Sequence, residues 1–573
     1  MRGKIKDKLM GFISIFAMLL AMCFIISVPQ GHAALSFTEQ TDADFDIDED
    51  VLDVAMGDLD ADGLNDVAAI VKTGSTYKVR IWENTSSAGN ASFAASNVVY
   101  SSASRVLNKI LLANLNSATN ANTQNDIIVC ANYDGATSNQ QILIWKNPGK
   151  DAGTVFADSW NTGSPNAMFG GVTSNINDIA AGELDGDSGD NYVDLVSANG
   201  ASVIARQNPS DSAADPYSAG NWTTSSTLTG SKNNVTAVAI GHINGTNDSY
   251  KDVVIAYNSV ATTANLVAYK NPTTGAYSGN WTTAKTFAGV GDTSTRYTSL
   301  VIANREGSGD TDPGDGDIFT TRGQADTASQ EKAVKVRKNP HGSDPFTAGT
   351  WTTETIVSTT STNAYLYNEV ALGDFTPDSN KYPDVVWGVD ANGDALAITE
   401  AEESTSASAY GNAFTPGGLN AVSCKTVATG FVEEAVSGNG KIDFIAGYTS
   451  DGDVGQEIRV WRNDAGTTNA TLKAKSFKAE KKAKKIALRW TTASETDSAS
   501  FTVLRSEDNG ATYDVTVGSV DAKGQGGSGA KYNLSDSDVT RGKTYNYKLQ
   551  EIDLSSNTSD LATLKVKYKK AKK

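Results

Sequence analysis

Sulfur is scarce in this chain of 573 residues: it has three cysteines, of which Cys23 lies in an apolar leader and only Cys130 and Cys424 follow. Both stand inside apolar, strand-like runs, Ile127 to Ala131 and Ala421 to Val427. Two buried, unpaired thiols are expected, because a disulfide framework needs more cysteines at closer spacing. Histidine is equally rare, with three in all. No His-x-x-x-His zinc spacing, no Ser/His/Asp order and no glycine-rich phosphate cradle are found. Sustained helical periodicity is missing from the body of the chain. Positive charge is short there too: residues 34–469 hold 24 Lys/Arg against 53 Asp/Glu, whereas from Ala470 onward the balance is 20 against 12. The body therefore repels nucleic acid and anionic lipid while attracting divalent cations.

What is present begins with Arg2, Lys4, Lys6 and Lys8, an apolar run from Leu9 to Val28, and Gly31 and Ala33 ahead of Ala34. A basic start, an apolar core and small residues describe an export signal over residues 1–33, with cleavage expected after Ala33. The apolar run is also long enough to span a bilayer uncleaved. Either way the rest of the chain is expected outside the cytoplasm, secreted or at the cell surface, with no membrane span once the signal is removed.

The most informative stretch is Asp58-Leu59-Asp60-Ala61-Asp62-Gly63-Leu64-Asn65-Asp66, followed by Val67-Ala68-Ala69-Ile70. Carboxylates two residues apart, a glycine for a sharp turn and a further aspartate form an oxygen-rich spacing suited to Ca²⁺. Eroded copies recur about every sixty residues. Glu183, Asp185, Asp187 and Asp194 make the third unit, and Asp374, Asp378 and Asp384 the sixth. The second keeps Asn114, Asn116 and Asp126, the fourth His242, Asn244 and Asp252, the fifth Asn304, Glu306 and Asp317, and the seventh Asn439 and Asp443. The last aspartate, always before an apolar pair, is the constant position. Since affinity follows charge count, metal occupancy is ranked first, third, then sixth unit.

Between the loops an alternating strand ends in the same way: Ile81-Trp82-Glu83-Asn84, Ile144-Trp145-Lys146-Asn147-Pro148, Ala205-Arg206-Gln207-Asn208-Pro209, Ala268-Tyr269-Lys270-Asn271-Pro272, Val336-Arg337-Lys338-Asn339-Pro340 and Val460-Trp461-Arg462-Asn463. Asn-Pro stops a strand and starts a turn, because proline cannot donate to the ladder. An altered seventh copy, Leu396 to Glu400, lacks the asparagine. A further strand is read at Trp222-Thr223-Thr224, Trp281-Thr282-Thr283 and Trp351-Thr352-Thr353. Four strands per unit with Gly/Asn/Asp/Ser turns is the content of a propeller blade. The tryptophans at equivalent positions are read as inter-blade packing, with sugar-stacking platforms as the functional alternative.

These loops, Gly57-Asp58-x-Asp60-x-Asp62-Gly63-x-x-Asp66-Val67 above all, resemble the FG-GAP or VCBS repeats of bacterial secreted proteins, which are similar to the integrin α-subunit propeller repeats. The resemblance covers roughly Leu35 to Asp464 and implies a seven-bladed β-propeller with Ca²⁺ in its blade loops. In such a ring Ser36-Phe37-Thr38 completes the last blade. Residues 465–485 are a basic linker or edge strand. Residues 486–573 hold short alternating strands around a single Trp490, as in an immunoglobulin-like sandwich. That segment looks like a fibronectin type III domain, with Tyr545 or Tyr547 near the tyrosine-corner position. The expected fold is all-β throughout.

The functional expectation is an exported, calcium-stabilised binding, adhesion or scaffold protein that presents a propeller face to a protein or glycan ligand. A secreted polysaccharide-active lyase or hydrolase using paired carboxylates on that face is the alternative, and a structural surface-layer component a further one. No catalytic residue is assigned, and Ca²⁺ is the one cofactor expected. The basic C-terminal region is read as a solvated terminus, with an anionic envelope polymer as its competing partner.

Overall fold

The computed structural model describes strands and connections between Phe37 and Tyr568; residues 1–36, 569–573 and internal segments lie outside the description, the longest being 117–123, 133–140, 258–265, 288–296, 304–315, 323–331, 376–383, 400–422, 433–441, 450–456 and 464–470. The described residues fall into two compact units, one within Leu35–Ala465 and one within Gly466–Lys573. Both are all-β, and among the described residues the sheet pairings are antiparallel.

The first unit holds seven sheets, numbered here in chain order by their first strands: Asp50–Gly57, Leu107–Ala113, Ile176–Gly182, Val235–Gly241, Tyr297–Ala303, Leu366–Gly373 and Cys424–Gly430. Six have four strands and the sixth has three described ones. The fourth strand of the seventh sheet comes from the other end of the sequence: Phe37–Glu39 pairs with Ile458–Asn463, with Phe37 opposite Asn463. First strands touch in cyclic order, each against the next, and Cys424–Gly430 returns to Asp50–Gly57. Repeated four-stranded sheets in this order are consistent with propeller blades.

Period-2 alternation explains how one strand serves two neighbours. In the second strand of sheet two, Asp126–Ala131, every residue is buried. Ile127 and Val129 join a core with Ala68, Ile70 and Ile81 of sheet one. Ile128 and Cys130 join another with Ile176, Ile179 and Leu195 of sheet three. The remaining interfaces each have such a core, the last one joining Val51, Val67 and Ala69 of sheet one to Ile445 and Val460 of sheet seven. Seven sheets thus share seven apolar seams. Cys130 and Cys424 are buried and free, as expected from their apolar runs.

One expectation is corrected. Trp222-Thr223-Thr224 does not form the outer strand of sheet three, which is Ser225–Thr227. Trp222 follows a 3-10 turn, and its indole N–H donates to the Pro216 carbonyl at 2.8 Å, as that of Trp351 does to Pro345 at 3.0 Å. Trp222 thus pins its approach loop in a turn, whereas directly after Trp351 the ladder begins, Thr352–Thr359 being the outer strand of sheet five as read. Burial of Trp82, Trp145, Trp222, Trp281 and Trp461 accords with packing and not with sugar platforms.

In the second unit, Thr471–Leu472, Ile486–Ser494, Lys478–Lys481 and Lys531–Asp536 make one sheet, and Val515–Asp521, Ser498–Ser506, Thr544–Asp553 and Thr558–Lys567 the other. Lys478–Lys481 is thus an edge strand, not a linker. One core joins the sheets: Trp490 stacks on Tyr532 at 5.2 Å between centroids and meets Phe501 edge-on. Tyr545 accepts a hydrogen bond on its hydroxyl from Thr540 N–H at 2.8 Å, which picks it over Tyr547 as the corner tyrosine. Tyr547 instead donates to Asp536, itself in a buried ion pair with Arg505.

Candidate metal centre

In five of the sheets the loop after the first strand rests on one repeated device among the described residues. In sheet one Asp66, fully buried, accepts from Leu59 N–H at 2.7 Å on one oxygen and from Asn84 N–H at 2.8 Å on the other. Asn84 then donates from its side chain to the carbonyls of Asn65 and of Val432, the latter in sheet seven's loop. The same pair of bonds is made by Asp126 with Leu115 and Asn147, Asp194 with Leu184 and Asn208, Asp252 with Ile243 and Asn271, and Asp443 with Val432 and Asn463. Each asparagine in turn reaches the preceding loop: Asn147 to Leu59 O, Asn208 to Leu115 O, Asn271 to Leu184 O, Asn339 to Ile243 O and Asn463 to Phe375 O. The recurring Asn is therefore a staple between sheets. Turn chemistry alone does not reveal it.

On this latch, two loops add further carboxylates. Asp58, Asp60 and Asp66 each bring an oxygen to within 4.8 Å of the others, and so do Glu183, Asp185 and Asp194. In loop one Asp58 accepts from Ala61 and Gly63 N–H, and Asp60 from Asp62 N–H at 3.2 Å. Gly63 takes φ +92°, where a side chain is strained, and Ala61 sits at φ +62°. Gly57, at the strand end, faces sheet two so closely that a Cβ would lie 2.6 Å from Asn125 Nδ2.

Burial, with like charge from Asp62 and Asp58, raises the Asp60 carboxyl to about 6, and burial pushes Asp66 to about 8. Glu183 is raised to about 8 by burial and by Asp185, and Asp194 to about 7 by burial. Crowded carboxylates in this state are stabilised by a cation. The donors are all hard oxygens, and an oxygen that accepts one N–H keeps a second lone pair, so both triads fit Ca²⁺ or Mg²⁺.

The expected ligands are only partly brought together. Asp62 is exposed and outside the triad; its carboxylate accepts from Leu64 N–H at 2.8 Å and shapes the turn. Asp187, Asp374 and Asp378 lie outside the described residues, as do Asn304, Glu306 and Asn439. Asp384 is buried and accepts from Phe375 N–H at 2.8 Å, the latch position of sheet six.

A second polar group has no counterpart in the motif reading. Each first strand shifts register near its start, and the residue just past the shift is Asp53, Lys109, Asp178, Ala237, Ser299 or Thr426 in six of the sheets. Lys109 pairs with Asp53 at 3.0 Å and with Glu369 of sheet six. Asp53 also accepts from Ile110 N–H, Asp178 from Val238 N–H, and Glu369 from Thr426 and Val427. Burial raises the Asp53 carboxyl, and Asp178 to about 6. Charged residues inside the first strands, Lys109 in Leu107–Ala113 and Asp178 in Ile176–Gly182 among them, are the signal the sequence offers, and such a strand residue reads as solvent-facing until the ring closes.

No protein-family model matches the chain, and no curated protein matches it. Among solved structures, the crystal structure of a beta-1,2-glucanase from Parabacteroides distasonis is matched at 15% identity over 48% of this chain, with a TM-score of 0.13. The match spans 37% of the glucanase chain. A likeness of that size carries no argument about fold or activity.

Proposed function

We propose that the chain is an exported, seven-bladed β-propeller of the FG-GAP/VCBS type followed by a fibronectin type III-like domain, with Ca²⁺ held in the loops of blades one and three. In this reading the ring is a calcium-stabilised binding or scaffold module for a protein or glycan ligand. The observation that supports it is the latch: the same aspartate and asparagine serve loops with and without extra carboxylates. The carboxylates of Asp58, Asp60 and Asp66 are engaged by backbone N–H groups, which suits a cation that braces a turn better than an acid–base pair. The test is thermal unfolding with excess Ca²⁺ and with excess EGTA, alongside calorimetric titration. Expected are uptake of Ca²⁺ and a lower melting temperature in chelator. An unchanged melting curve with no heat of binding overturns the reading.

A second reading, a glycan-active protein, is favoured by one feature. Asp53 and Glu369 meet around Lys109 from three different sheets, and Glu369 and Lys109 are part-exposed. Two carboxyls held together with one raised by burial is the raw material of glycoside chemistry. Release of reducing ends from a polysaccharide panel, lost in Glu369→Gln, supports this reading; binding without turnover across the panel supports the first.

A further inference from the structure

The second unit carries a basic surface that the propeller reading does not use. Lys478–Lys481 and Ile486–Ser494 form a hairpin whose turn is closed by Lys482 N–H donating to the Lys485 carbonyl at 2.8 Å. From Lys478 to Arg489 the hairpin holds six basic residues and one acidic residue, and Lys478, Lys481, Lys482, Lys484, Lys485 and Arg489 are all exposed. Lys478 stands directly opposite Arg489, which stands opposite Asn533 on the next strand, so these side chains share one face. Lys531, exposed, extends that face opposite Thr491. Glu480, the single acid, pairs with Lys482 and lies 3.3 Å from Arg489, so it cancels only one of the six charges.

We propose that this hairpin face is a docking surface for an anionic polysaccharide. Strands about 4.8 Å apart set Lys478 beside Arg489 with Lys531 one strand further, and the turn adds Lys482, Lys484 and Lys485, a run of cations that suits a polymer with repeating carboxylate or phosphate groups. Two competing polyanions lack their usual contacts. Single-stranded nucleic acid needs exposed aromatic platforms, and a bilayer needs apolar insertion. Among the described residues the one exposed large hydrophobic is Phe431, which belongs to the first unit. The face works against the chain's overall charge of −18, so its attraction is local and short-ranged.

The test uses the full-length protein on immobilised polygalacturonate. It is expected to bind at 50 mM NaCl and to weaken roughly 100-fold by 200 mM, as the five uncancelled cations of the hairpin, each releasing about 0.7 counterion, require. The triple variant Lys482→Gln, Lys484→Gln, Lys485→Gln is expected to lose at least about tenfold in affinity at 50 mM salt, with an unchanged melting temperature because all three side chains are exposed. No binding at 50 mM overturns the proposal, and so does a triple variant that binds as well as the parent. Tighter binding to single-stranded DNA of equal charge than to polygalacturonate transfers the surface to nucleic acid and also overturns it.

Discussion

Loops one and two of the ring share a backbone design and differ in charge. Both end in a buried aspartate that accepts from a leucine N–H in its own loop and an asparagine N–H at the end of the third strand. In loop one the accompanying positions are Asp58 and Asp60; in loop two they are Asn114 and Asn116. Loop two also fills the space differently, with Tyr217 donating its hydroxyl to Asp126 at 2.8 Å. The comparison teaches that the recurring aspartate of the motif is first a fold element. Where further carboxylates accumulate around it, as in loop one, the same frame gains a group that could hold a metal ion.

The largest expected effect breaks the latch itself. Asp126→Asn places an amide donor against converging N–H groups, and loss of charge-assisted bonds there should cost roughly 3 kcal/mol; denaturant unfolding of the variant measures it, and a midpoint equal to the parent's means that the aspartate is not the latch. Nearly as large is the effect of Ca²⁺, which at a hundred times its dissociation constant should add about 2.7 kcal/mol. Asp60→Asn should lose much of that gain while Asn116→Ala keeps it. Equal responses of the two variants would erase the distinction between the loops.

A smaller loss, about 1–2 kcal/mol, is expected for Asn147→Ala, which leaves the Leu59 and Asn125 carbonyls without their side-chain donor. Asn208→Ala should behave alike, since Asn208 serves Leu115 and Val193 in the same way. A further effect is in pH. Burial raises the Asp126 carboxyl from its ordinary 3.8 to about 6. Between those values the folded chain holds a proton that the unfolded chain has released. The contribution is therefore complete below about pH 4, declines as pH rises toward 6 by at most about 1.4 kcal/mol per pH unit, and is flat above. Parallel melting series of the parent and Asp126→Asn isolate it; identical slopes between pH 4 and 6 would remove Asp126 as its source.

Much of this architecture is legible in the residues. Residues 67–71 after Asp66 and 127–131 after Asp126 are apolar at every position, the run 195–198 after Asp194 is broken only by Ser197, and the structure buries both faces of those runs. Trp222-Thr223-Thr224 misled because a β-rich composition does not distinguish a strand from a loop pinned by an indole N–H, whereas Thr352 and Thr353 stand in the outer strand of sheet five as read. Asp62, which spacing places among the ligands, stands outside the triad and accepts from Leu64 N–H in the turn that Gly63 permits.

By itself the sequence determined the all-β class, the repeated strands and the two loops where three carboxylates come together. Alternation and turn residues act over a few neighbours and leave their mark locally. Which sheet meets which was decided only by tertiary structure. Asn147 finds its carbonyl 88 residues away, and Lys109 finds Glu369 at a separation of 260. The physical reason is that a period of two says which side of a strand is buried, while the partner behind that side exists only once the ring has closed.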